Sequence, residues 1–131
     1  NKDNEQTHQL KFYHSMILSY LEEVVDILRE ASRDIRDQKR KLPKSVVEII
    51  EDICKNLGIY YSTFYNFNKQ KIVDINKHRH DVDKKIKDLP LSLDSYSVYV
   101  VSSLSRILHN ISHMSAQTSI HNLQHVTEKE D

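Results

Sequence analysis

The stretch 10–35, LKFYHSMILSYLEEVVDILREASRDI, decides the fold. Its residues Leu10, Tyr13, Ile17, Leu21, Val24, Leu28, Ala31 and Ile35 recur at spacings of three or four. That is the period of one face of an α-helix, not of a strand. The run predicts a helix from about Thr7 to about Gln38 with one stripe turned toward a core. A basic stretch follows, Lys39-Arg40-Lys41-Leu42-Pro43-Lys44, and Pro43 marks a break or a helix start. Ser45-Val46-Val47-Glu48 has the spacing of a capping box, in which Ser45 caps and Glu48 returns the bond.

Three further helices are predicted beyond it. The second carries Val46, Ile50, Ile53, Leu57, Tyr60 and Phe64 on one stripe, widened by Ile49, Cys54, Tyr61, Tyr65 and Phe67. Gly58 weakens it by about 1 kcal/mol relative to Ala. A break is predicted near Asn66-Phe67-Asn68, with Asn68 capping a third helix from about Lys69 to about Leu89. The third stripe is Ile72, Ile75, Arg79, Val82, Ile86 and Leu89, and Pro90 ends it. Asp94 or Ser92 then caps a fourth helix to about Val126, with Val100, Leu104, Ile107, Leu108, Ile111, Ser115 and Thr118 on its stripe. Residues 127–131 are predicted to fray as an acidic tail. Short connections favour antiparallel neighbours, so the expectation is one all-α antiparallel bundle over residues 1–131.

Composition narrows the classes of function. The chain has 131 residues, 19 Lys+Arg and 19 Asp+Glu, hence a formal net charge of zero. A balanced chain is poorly suited to gripping nucleic-acid phosphates, and no direct nucleic-acid binding is expected. One Cys excludes a disulfide framework and a Cys-based zinc site within the chain. One Gly and two Pro argue against β-sandwiches, Gly-rich phosphate loops and dinucleotide folds. Mean hydropathy is -0.62, and no apolar run approaches the roughly 18 residues of a membrane span. The expectation is a soluble, cytoplasmic helical domain. The chain begins at Asn1 rather than Met, the pattern of a processed or cut-down piece.

The last three helices resemble the PhoU family of phosphate-uptake regulators. The third carries Arg79-His80-Asp81-Val82-Asp83-Lys84-Lys85-Ile86, and the fourth Leu104-Ser105-Arg106-Ile107-Leu108-His109-Asn110-Ile111. The link Leu89-Pro90-Leu91-Ser92-Leu93-Asp94-Ser95-Tyr96 is also similar. On this resemblance residues 44–126 form one three-helix PhoU-like repeat. The first helix, with Leu21-Glu22-Glu23-Val24-Val25-Asp26, is then a third-helix equivalent that keeps the family's E-x-x-x-D signature as Glu22 and Asp26. The resemblance implies a non-enzymatic regulator of phosphate supply, partnered by a phosphate transporter or sensor kinase and acting by metal-assisted or direct protein–protein interaction. The chain departs from the family at Ser105 and His109 in the last helix and at Arg79 beside Asp83 in the third, so half of the family's carboxylates are replaced.

Candidate metal ligands follow from spacing and from that resemblance. Glu22 and Asp26 share a helix face, and two carboxylates one turn apart repel unless a cation lies between them. The alternative is a solvated acidic face offset by Arg29 and Arg33. His109 and His113, like His121 and His125, are i, i+4 pairs whose imidazoles can share one metal. Imidazole in place of carboxylate favours zinc, nickel or iron over calcium or magnesium. The plainer reading is a His-rich polar surface. Asp83 pairs with His80 or, as an ion pair, with Arg79 on one face of the third helix. Cys54 reads as a small buried hydrophobe, and the Tyr60, Tyr61, Phe64, Tyr65 and Phe67 cluster as core or interface.

Two rival readings remain. Arg106 and His113, with six residues between, resemble the Arg/His pattern of HEPN-type ribonucleases, in which Arg steadies phosphate charge and His moves a proton. His109 shares their exposed face. The other is a plain helical interaction module, with a homodimer through the face that a missing repeat would cover.

Overall fold

The computed structural model describes residues 1–130, with the side chains of residues 1–124. It is all-helical, with four helices: α1 (Lys2–Gln38), α2 (Lys44–Tyr65), α3 (Lys69–Lys87) and α4 (Ser95–Glu130). No strand occurs among the described residues.

The caps are built from the residues at each boundary. α1 starts earlier than its stripe predicts because the Asn1 side chain accepts a hydrogen bond from the Asp3 N–H at 3.2 Å. It ends at Lys39, which takes the left-handed conformation at φ 51°. α2 does not use the Ser45–Glu48 box. Its first turn closes on the Pro43 carbonyl, which accepts from the Val46 and Val47 N–H groups at 3.0 and 3.1 Å. Ser45 is therefore already inside the helix and has no cap to make. Asn68 caps α3 as expected, accepting from Gln70 N–H at 2.7 Å. Asp94 caps α4, accepting from Ser97 N–H at 2.7 Å. α4 continues past the predicted end near Val126, because 127–130 (Thr-Glu-Lys-Glu) contains no Gly or Pro to stop it. Residue 131 lies outside the described residues.

Packing centres on α4, the one helix in contact with the other three. It supplies Val100, Leu104, Ile107, Leu108, Ile111 and Met114 to the core, each almost fully buried. Full burial of one such side chain stabilises the fold by roughly 1.5–3 kcal/mol. α2, α3 and α4 pack mutually as a three-helix unit. α1 packs on α4 and makes no close backbone approach to α2 or α3. It runs antiparallel to α4, since Tyr13 meets Thr118, Tyr20 meets His113 and Glu23 meets Arg106 in order.

This arrangement rolls the buried stripe of α1. Tyr13, Ile17, Val24, Ile27 and Ala31 are buried against α4. Leu10 and Leu28, predicted to be core, are exposed, and Leu21 is half-buried. They lie on the flank turned toward α2, which α2 does not come close enough to cover. Cys54 is exposed rather than buried. The buried line of α2 runs through Val46, Ile49, Ile53, Asn56, Tyr60 and Thr63, and position 54 is one full 100° step off it. In α3, Arg79 does not enter the core. Its guanidinium pairs with Asp83 at 3.8 Å, both partly exposed.

Polar bonds join the helices inside the core. The Thr118 hydroxyl lies 2.9 Å from the Tyr13 hydroxyl and 3.1 Å from that of Tyr60, so one buried side chain of α4 holds α1 and α2. Asn56 donates from Nδ2 to the Ile75 carbonyl at 3.3 Å and approaches His78 Nδ1 at 3.1 Å, tying α2 to α3. On the surface, Lys85 bonds Asp52 at 2.6 Å across the same pair of helices.

Two outcomes test this framework. Thr118→Val removes the shared hydroxyl at nearly constant volume and leaves two buried phenols unpaired, so it should cost roughly 1–3 kcal/mol in urea unfolding. Thr118→Ser should cost less, and an undiminished midpoint in the valine variant would contradict the network. Asp94 provides a pH-dependent test. The Ser97 backbone N–H and hydroxyl lower its pKa below 3.8 in the folded state. The cap therefore contributes fully above that ordinary value, and its contribution is lost as pH falls through the lower folded value. Asp94→Ala should melt earlier than the parent at pH 7, and the gap should close in acid.

Candidate functional site

Two surfaces carry chemistry beyond the core, on opposite flanks of α1. The first is the open edge between α1 and α2. Because these helices do not approach, a cavity of about 290 Å³ opens between them, lined by Ile17, Leu21, Leu57, Tyr60, Tyr61, Phe64 and Tyr65. Its floor is Tyr60, buried and pinned by Thr118. Burial raises the Tyr60 pKa well above the ordinary 10.0 despite that hydrogen bond, so the phenol is neutral. The rim is aromatic and largely exposed: Tyr61 is 66% and Tyr65 72% accessible, with their rings 4.9 Å apart. Leu18, Val25 and Leu28 extend the apolar flank along α1. The groove is thus a water-facing apolar strip with a rigid floor, suited to receive another apolar surface.

The second surface lies along α4, where Arg106, His109 and His113 are exposed one helical turn apart. The two imidazoles meet at Nε2···Nε2 2.9 Å with their rings nearly perpendicular. At that distance one nitrogen donates and the other accepts, or both turn lone pairs toward a shared cation. Tyr20 of α1 stacks on His113, with centroids 5.4 Å apart and planes 6° from parallel. Arg106 Nη2 lies 3.6 Å from Glu23 Oε1, so α1 also supplies a counter-charge. Each partner is about half exposed, and such a pair is worth about 0–1 kcal/mol.

The residues singled out by spacing do not gather into one site. His109 and His113 are together. Glu22 and Asp26 are exposed on the side of α1 facing away from α4, where Asp26 Oδ1 lies 3.6 Å from Arg29. Asp83 is on α3, engaged by Arg79. No group of three or more His, Cys, Asp or Glu able to hold a metal ion occurs among the described residues. Glu22, Asp26 and Asp83, carried over from the PhoU resemblance, thus stand on separate surfaces of the chain from the His109–His113 pair. His121 stacks on Tyr13, with centroids 4.1 Å apart and planes 4° from parallel, so it belongs to the α1–α4 joint. His125 lies beyond the side chains described.

Sequence reasoning missed Tyr20 and Glu23, which shape the His face, because their role depends on the α1–α4 register. It placed Thr118 and Tyr60 on apolar stripes, but the pairing of their hydroxyls carries no local sequence signal. No helix among the described residues is long and apolar enough to cross a membrane. Comparison of the chain with protein-family models, with curated proteins and with solved structures finds no match.

Proposed function

We propose that the chain is a PhoU-like regulatory module linked to phosphate uptake and signalling, acting by direct protein–protein interaction. The carrying observation is the open α1–α2 groove, an apolar strip with an aromatic rim. The packing of α2, α3 and α4 as one unit, with α1 attached through α4, supports the same reading. It is the arrangement expected of a three-helix repeat preceded by a helix from another. The partner is a protein that offers an apolar helix face to Leu21, Val25, Leu57, Tyr61 and Tyr65. By the family resemblance it is a phosphate transporter or a sensor kinase.

Deleting the gene in its host should raise phosphate uptake when phosphate is plentiful. The double variant Val25→Asp, Tyr61→Asp should fail to restore control. Both positions are exposed, so its stability should change little. Unaltered uptake in the deletion strain, or full complementation by the double variant, would contradict the reading.

A second reading has one observation in its favour. Arg106, His109 and His113 share an exposed face, the composition of a phosphodiester-cleaving site of the HEPN type. Cleavage of a labelled RNA that is lost on His113→Ala would establish it. Protein that leaves the RNA intact, or activity that survives that change, would dispose of it.

A further inference from the structure

We propose that His109 and His113 form one half of a zinc-class transition-metal site that a second copy of this chain completes. Their Nε2 atoms lie 2.9 Å apart. Two nitrogens on a tetrahedral zinc, each bonded at about 2.0–2.1 Å, sit about 3.3 Å from one another. A small rotation of the rings therefore turns the observed pair into a chelate, with little side-chain ordering left to do. Stacking on Tyr20 already holds the His113 ring. The nearest cation on the same face, Arg106, is drawn toward Glu23 on α1, which offsets its charge.

Two ligands do not make a stable zinc site, which takes four. Among the described residues no third His, Cys, Asp or Glu joins the pair. An identical pair on a second copy of the chain supplies the two ligands that are missing. A two-fold axis through the metal places one set of His109 and His113 opposite the other, an isologous contact of four imidazoles. The exposed face of α4 leaves room for this crossing. Ser102 lies on one side of the histidines and Ala116 on the other, both small and exposed. The His face and the α1–α2 groove lie on opposite flanks of α1. The dimer therefore leaves the groove free, and this proposal and the phosphate-regulatory reading fail separately.

The test is a titration of the metal-free chain with Zn²⁺, read by light scattering after size exclusion and by calorimetry. The expected result is conversion to a dimer at one zinc per two chains, reversed by EDTA. His109→Ala and His113→Ala should each abolish both effects while the metal-free chain keeps its helical circular-dichroism spectrum. Co²⁺ in place of zinc should give visible d–d absorption of tetrahedral intensity. Zinc bound by a chain that stays monomeric, a dimer that persists in His113→Ala or in EDTA, or no binding at all would overturn the proposal.

Discussion

The Thr118 hydroxyl fixes the level at which α1, α2 and α4 meet. It sits on the buried face of α4 and receives Tyr13 from one side and Tyr60 from the other, at 2.9 and 3.1 Å. A hydroxyl has one donor and two acceptor positions, so a single threonine satisfies both phenols. Apolar contacts set the packing but do not define a register by themselves, since a sliding helix trades one leucine for another. A hydrogen bond buried in the core does define it, because any shift leaves polar groups unpaired at a cost of roughly 1–3 kcal/mol each. With Tyr13 at this level, Tyr20 falls on His113 and Glu23 on Arg106. With Tyr60 there, the floor of the α1–α2 groove is set.

The same constraint explains why the groove is open. Tyr13 and Tyr60 reach Thr118 from helices whose backbones do not approach each other. Aromatic side chains are long enough to meet on α4 while holding α1 away from α2. The space between the backbones is then lined by Ile17, Leu21, Leu57 and Phe64 and rimmed by Tyr61 and Tyr65. The result is an apolar strip that faces water between the two helices.

Helix number, order and approximate ends were legible in the sequence, because periodicity and the Asn68 and Asp94 caps are local signals. The stripe of α4, including Ser115 and Thr118, was legible for the same reason. What misled was the assumption that every apolar residue on a stripe meets a neighbour. Leu10 and Leu28 are exposed and Leu21 half-buried because their neighbour stands off, and nothing within α1 encodes that distance. Cys54 was misplaced because its apolar character was weighed above the line that Ile53 and Asn56 define. In the candidate site, the contact of His109 with His113 follows from i, i+4 spacing alone. The separation of that pair from Glu22, Asp26 and Asp83 does not. It depends on which side of α1 faces α4 and on where α3 lies, both tertiary facts.

The most direct measurement of the central claim is hydrogen–deuterium exchange of this chain, alone and mixed with the phosphate transporter or the sensor kinase of its host. Docking in the groove predicts slowed exchange confined to residues 17–28 of α1 and 57–65 of α2, with α3 unchanged. Protection that falls elsewhere, or none with either partner, would contradict it.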